Sequence, residues 1–322
     1  MRCLVTGANG FAASHLIDHL LEEGHEVTGT VRIRARLDNI SHVLDKIKLV
    51  NMDLHDPFGV RHVVFNNRPE AVFHLAAQSF VGWSWSHPDE TLKTNVNGTL
   101  YLLEALREFE DYSEQHITIT PPIKIHIASS SQVYGKTDGE MGKDTLFNPM
   151  NPYDTSKLAQ DMLALQYANS YGMHIVRTRA FNISGPRRGE SFAESSWAKQ
   201  VAELELKGGG EIKHGNLESY RDYIDVRDVV RCYARACFTG NSGDLYILGS
   251  GQPTKMEFIL DTLLRRSTCK NIGKVVDPSR LRPSDTPYMK AKDSVMREWL
   301  GDITPFDKTL TDLLNYWRGR VR

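Results

Sequence analysis

Residues 2–31 read RCLVTGANGFAASHLIDHLLEEGHEVTGTV, and this stretch decides the fold. A short β-branched run, CLVTG, leads straight into a glycine turn. An amphipathic helix follows, FAASHLIDHLLEEG, with Leu16/Leu20 and Ile17/Leu21 each four residues apart, and then a second β-branched run, EVTGTV. The turn sets Gly7, Gly10 and Ala13 between strand and helix. Gly7 permits a tight bend, Gly10 lets a pyrophosphate come against the backbone, and small Ala13 keeps helix and strand close. The helix N-terminus then faces the phosphates. Strand, turn and helix together predict a dinucleotide site built from Gly7, Asn9, Gly10, Phe11 and Ala13.

The same alternation continues outward from this unit. IKLVNMDL, AVFHLAA, IKIHIASS, IVRTRAF and, later, LYILGS read as further strands, and ETLKTNVNGTLYLLEALREF and TSKLAQDMLALQYANSYG as helices. Strand–helix–strand alternation implies parallel pairing with right-handed crossovers on both faces. The expected fold is α/β: a doubly wound parallel (Rossmann) sheet with a smaller mixed α/β region. The dinucleotide-binding domain is expected over residues 1–181. From residue 182 to 322 the alternation loosens into Gly-, Pro- and Arg-rich loops, suited to a substrate region that partly folds back onto the sheet.

Composition excludes several classes of function. Of 322 residues, 40% are hydrophobic and 25% charged, and 39 Lys plus Arg balance 40 Asp plus Glu. That balance leaves no global basic field for nucleic acid. Cys3, Cys232, Cys237 and Cys269 form no CxxC pair and have no histidines at ligand spacing, so neither metal nor disulfide is expected. The sequons NIS and NGT are read as chance matches, because the chain enters a strand at once with no room for a signal peptide. No apolar run is long enough to span a membrane. The expected location is the cytoplasm.

The end of the second strand selects the cofactor. A dinucleotide without a 2′-phosphate usually meets Asp or Glu there, whereas GTVRIRAR offers Arg32, Arg34 and Arg36 and no carboxylate. A guanidinium can grip a 2′-phosphate bidentately, so NADP is expected, with Arg32 as the contact. Asp53 and Leu54 end the third strand against the adenine. Leu75, Ala76 and Ala77 end the fourth, where backbone lies close to the cofactor.

NPYDTSK sets Tyr153 and Lys157 four residues apart at a helix start, on one helical face. A phenol with a pKa near 10 is a poor acid or base at neutral pH, and an ammonium one turn away stabilises the phenolate. The segment ASSSQVYG, residues 128–135, adds hydroxyls at a strand end. With the glycine turn, these motifs give the chain a resemblance to an extended short-chain dehydrogenase/reductase over essentially its whole length. In that family the catalytic hydroxyl lies four residues before the tyrosine of VYG, which selects Ser130. The resemblance implies that Ser130 binds the substrate oxygen, Tyr153 transfers the proton, and Lys157 tunes Tyr153 and holds the nicotinamide ribose.

FNISGPRRGESF, GNLESYRDYIDVRD and RLRPSD further resemble the substrate segments of the branch acting on GDP-mannose and its 4-keto-6-deoxy derivative. By that resemblance Asn182, Arg187, Lys199, Asn216, Arg221 and Arg282 hold a nucleoside diphosphate, and Ser79, Ser130 and Gln132 meet the sugar. The dehydratases of this branch carry a glutamate where this chain has Gln132, and an amide cannot exchange a proton at neutral pH. The leading expectation is therefore NADPH-dependent reduction of the C4 ketone of a GDP-4-keto-6-deoxyhexose. The alternative is GDP-mannose 4,6-dehydratase, to which PRRG and the arginine-rich loop are similar. Asp154 is a conceivable replacement acid, but one residue along the helix turns it away from Tyr153. A nucleotide-sugar epimerase and a non-catalytic NADP sensor rank below both. The resemblance also implies a homodimer or homotetramer.

Overall fold

The computed structural model describes residues 1–116, 122–137, 139–281 and 286–321. It opens with β1 (Arg2–Thr6), α1 (Phe11–Glu22), β2 (Glu26–Val31), β3 (Lys48–Asn51), α2 (Pro57–Asn67) and β4 (Ala71–His74). There follow α3 (Val81–Ser86), α4 (Pro88–Leu92), α5 (Gly98–His116), β5 (Lys124–Ser130), α6 (Pro152–Tyr171), β6 (Ile175–Ala180) and β7 (Asn182–Ser184). The rest comprises α7 (Ala193–Lys207), β8 (Gly210–His214), β9 (Tyr220–Asp225), α8 (Val226–Thr239), β10 (Leu245–Leu248), β11 (Pro253–Lys255), α9 (Met256–Arg265), β12 (Ile272–Val276), α10 (Met296–Leu300) and α11 (Phe306–Arg318).

The expected sheet is present. Its seven strands run in the order β10-β6-β5-β4-β1-β2-β3, and β1 pairs in parallel with both β2 and β4. The order therefore reverses between β1 and β4, and ligands of open α/β sheets bind at the carboxyl ends of the strands at such a reversal. Gly7 follows β1 and Ala76 follows β4, so the glycine turn sits where the topology opens.

The chain divides into two compact units. The first comprises Met1–Val133, Phe147–Ala180 and Val230–Tyr246; the second comprises Tyr134–Leu146, Phe181–Val229 and Ile247–Arg322. The chain passes between the two units at several points, one of them between Ala180 and Phe181. In the first unit Val60, Val63 and Val64 of α2 and Leu102, Leu103 and Leu106 of α5 bury against Leu4, Val72, Ile125 and Ile127 of the strands. Each such side chain contributes roughly 1.5–3 kcal/mol on burial. The second unit has its own core, in which Trp197, Val201, Ile212, Ile259, Leu260, Leu310 and Leu313 pack together. It carries a three-stranded sheet, β11-β9-β7, and a parallel β12–β8 pair.

Two helical segments depart from the sequence reading. ETLKTNVNGTLYLLEALREF is one unbroken helical run, as expected, but α4 and α5 within it are joined by a π-helical turn at Lys93–Asn97. There Asn95 is fully buried and bonded to chain outside its own helix. Helix α2 gave too little amphipathic signal to be read as a helix. It forms on a local cap, with Asp56 accepting from Phe58 N and Pro57 opening the helix. Among the described residues no helix is long and apolar enough to cross a membrane.

Candidate active site

The glycine turn is as tight as its residues allow. Gly7 has φ +70°, and a Cβ there would stand 2.9 Å from Ala76 Cα, a backbone atom that cannot yield. Gly10 caps α1 without any side-chain hydrogen bond, and the first turn carries no acid. The N–H groups of a helix start, beside a backbone that admits no side chain, fit the pyrophosphate of a dinucleotide. Ala13 is buried behind the turn. Asn9 Nδ2 donates to Arg36 O at 3.0 Å and Asn39 Nδ2 to Asn9 O at 3.1 Å, which pins the arginine loop to the turn. Phe11 lies edge-on to His15.

Arg32 is exposed, and its guanidinium makes no ion pair among the described residues; Arg36 by contrast binds Asp38. Asp53 is exposed at the end of β3 and accepts from His55 N, while Leu54 is buried below it. Leu75 and Ala76 follow β4 and donate their N–H groups to Thr6 Oγ1, at 3.1 and 3.0 Å. Ala77 is half-buried and Ser79 exposed.

Ser130 ends β5, and its Oγ accepts from Gln132 N at 3.2 Å. Helix α6 presents Tyr153, half-buried, and Lys157, which is 4% exposed. The helix start is fixed by a reciprocal cap. Asn151 Oδ1 accepts from Asp154 N, and Asp154 Oδ2 accepts from Met150 N and Asn151 Nδ2. Asp154 is therefore a capping residue, 1% exposed.

Lys157 is the most heavily supported group of the site. Its Nζ donates to Ala128 O at 2.5 Å and to Gln160 Oε1. Behind Gln160 a buried polar line runs through Thr99 and His74 to Thr6, the residue before Gly7. Burial pushes the Lys157 ammonium down to about 8, partly opposed by the Asp161 carboxylate one turn on. Burial likewise takes His74 and His126, whose neighbours include Lys157, down to about 3, so both rings are neutral. Asp161 is clamped by Arg177 and Arg179 of β6, which locks α6 to the sheet.

None of Thr6, His74, Thr99, Gln160 or Asp161 was marked as a site residue by the sequence. Only their long-range meeting reveals them, although the alternate arginines of IVRTRAF could have signalled a buried acid on the helix above.

The second unit holds most of the residues expected to meet substrate. Asn182 begins β7 and pairs with Tyr223 of β9, and Arg187 follows with φ +71°. Arg221 lies on β9, its NH1 donating to Tyr220 O. Lys199 is held by Glu190 and Glu203, and its hydrogen bond to Glu190 raises its pKa. Asn216 accepts from Glu218 N in a local turn. Arg282 lies outside the described residues.

Comparison with known proteins follows the same lines. A family model described as GDP-mannose 4,6 dehydratase matches residues 4–305. Over 328 residues the chain is 29% identical to the GDP-6-deoxy-D-mannose reductase of Pseudomonas aeruginosa, covering 100% of this chain and 98% of that one. Over 309 residues it is also 29% identical to GDP-mannose 4,6 dehydratase 1 of Arabidopsis thaliana, covering 92% and 84%. A solved structure described as RMD from Pseudomonas aeruginosa complexed with NADPH aligns with a TM-score of 0.80 and 26% identity over 99% of both chains. On the family match and the fold, the chain belongs to the GDP-mannose 4,6-dehydratase family of extended short-chain dehydrogenases/reductases.

Proposed function

We propose that the protein is an NADPH-dependent reductase acting on the C4 ketone of a GDP-linked 4-keto-6-deoxyhexose. The observation that carries this reading is Gln132. Elimination of water needs a carboxyl group beside the catalytic hydroxyl, and an amide stands there instead. Asp154, the carboxylate next to Tyr153 in the chain, is buried and accepts in the helix cap.

In this reading Gly7, Asn9, Gly10, Phe11, Ala13, Asp53, Leu54, Leu75, Ala76 and Ala77 hold the dinucleotide, and Arg32 takes its 2′-phosphate. The bound cofactor supplies the hydride. Ser130 hydrogen-bonds the ketone oxygen, and Tyr153 gives its proton to that oxygen as charge develops on it. Lys157 keeps a third N–H for the ribose, and its charge favours the phenolate that remains. Ser79 and Gln132 orient the sugar, while Asn182, Arg187, Lys199, Asn216, Arg221 and Arg282 hold the nucleoside diphosphate. Lys199 would first have to exchange its two carboxylates for phosphate oxygens. A homodimer or homotetramer in the cytoplasm completes the proposal.

A second reading, GDP-mannose 4,6-dehydratase, is favoured by the arginine loop and by the equal identity to a dehydratase. Incubation with GDP-mannose alone, followed by mass analysis, separates the two. The reductase leaves GDP-mannose intact and consumes NADPH only with the 4-keto sugar. Loss of water without added reductant would overturn the proposal in favour of the dehydratase.

A further inference from the structure

The polar line behind Lys157 can be given a direction, because the hydrogen-bonding capacity of each member is limited. Thr6 Oγ1 already accepts from Leu75 N and Ala76 N, so its own proton goes to His74 Nδ1 at 2.9 Å. His74 must then carry its proton on Nε2 and donate it to Thr99 Oγ1 at 3.0 Å. Thr99 spends its proton on Asn95 O at 2.7 Å, and it receives a second N–H from Gln160 Nε2, also at 2.7 Å. The amide of Gln160 is thereby oriented from behind, and its carbonyl oxygen is the end that faces the ammonium. Thr6, His74, Thr99 and Gln160 are each at most 1% exposed, so water does not compete for any of these bonds.

We propose that Gln160 is a positioning residue for the acid–base pair: held by Thr99, which His74 bonds in turn, it offers Lys157 a neutral lone pair that fixes the ammonium in place without cancelling its charge. A carboxylate at this position would also fix the ammonium, but it would offset the field that Tyr153 feels. An apolar side chain would leave the ammonium with Ala128 O alone. The other titratable or charged groups facing the pair are Asp161 on α6, whose carboxylate is itself engaged by Arg177 and Arg179; the neutral rings of His74 and His126 from the sheet; and Tyr233 of α8, near Tyr153. None of these can take over the role of a neutral acceptor at Nζ.

The inference rests on the reading of Tyr153 and Lys157 as the acid–base pair, and its test uses no sugar nucleotide. The Tyr153 phenolate is titrated by ultraviolet difference spectroscopy, each protein being compared with its own Tyr153→Phe counterpart. In Gln160→Met and in the near-isosteric Gln160→Glu, the phenolate midpoint is expected to rise by about one pH unit or more. Thr99→Val, which frees the Gln160 amide, is expected to raise it by less, and it carries the test together with Gln160→Glu if Gln160→Met does not fold. A purely structural role would lower the melting temperature and leave the midpoint in place. An unmoved midpoint in folded Gln160→Glu overturns the role of Gln160 alone. A wild-type Tyr153 that titrates as an ordinary phenol overturns the pair, and this inference with it.

Discussion

Replacing Asp161 with Asn should be the most damaging conservative substitution in the first unit. The carboxylate is fully buried, and it receives Arg177 NH1 at 2.6 Å, Arg179 Nε at 2.8 Å and Arg179 NH2 at 3.2 Å. Both guanidiniums are themselves nearly inaccessible, with side chains 6% and 2% exposed. Asn keeps the volume but removes the charge, stranding two cations in the interior, and its amide turns donors toward donors. Breaking a buried pair in this way costs about 3–5 kcal/mol, a large share of a total stability of roughly 5–15 kcal/mol. Urea unfolding should show it as a midpoint lowered by about 1 M or more, for a slope near 3 kcal/mol per M. A second effect follows at the site. Asp161 opposes the fall in the pKa of Lys157, so without it the lysine should lose its proton below the present value of about 8. A stability loss under about 1 kcal/mol, the size of an exposed pair, would refute the reasoning.

Three further outcomes are expected. Gly7→Ala adds a Cβ 2.9 Å from Ala76 Cα at φ +70°, so both strain and clash should abolish detectable NADPH binding by fluorescence titration; near-normal affinity would contradict the cradle described for the turn. Arg32→Asp should erase most of an at least tenfold preference for NADPH over NADH, since a charge-assisted phosphate contact contributes about 1.5–3 kcal/mol; equal affinity for both cofactors in the unaltered protein would count against NADP. Burial lowers Lys157 from 10.5 to about 8, so between those values the unfolded chain keeps a proton that the folded chain has lost. Stability from this group is therefore present above 10.5 and lost as pH falls through 8. Wild type should gain on Lys157→Met by up to about 3 kcal/mol across that window in pH-dependent unfolding, and a flat difference would contradict it.

Local sequence carried the parts of this molecule that depend on neighbours in the chain. The Gly7–Gly10–Ala13 turn was legible because its conformation needs residues that only glycine and alanine supply. Tyr153 and Lys157 were legible because a spacing of four is one turn of helix. The seven strands of the sheet stood out as β-branched runs between helices. Helix α2 was missed because its inward face is only Val60, Val63 and Val64, and β-branched residues suggest a strand as readily as a helix. The wide turn at Lys93–Asn97 was hidden for a different reason: Asn95 bonds Gln78 and Ser156, 17 and 61 residues away. The line from Thr6 to Lys157 likewise joins residues from β1, β4, α5 and α6. Polar residues with ordinary local roles become a site only when the fold brings them together. Arg177 and Arg179 looked like strand charges and proved to be buried partners of a helix acid.

The order in which the chain is made bears on the first unit. Its last segment, Val230–Tyr246, lies beyond a long excursion into the second unit. That segment brings Phe238 to within 5.7 Å of the Phe73 ring and Tyr233 to within 4.5 Å of the His126 ring, covering β4 and β5. At roughly 5–20 residues per second, a ribosome needs on the order of 3–13 s between Ala180 and Tyr246. Through that interval Phe73 of β4 and His126 of β5 lack this cover. A nascent chain arrested just after Ala180 should be cut rapidly by protease at low dose, whereas one arrested well past Tyr246 should resist; equal resistance of the two would show that the sheet closes without its last segment.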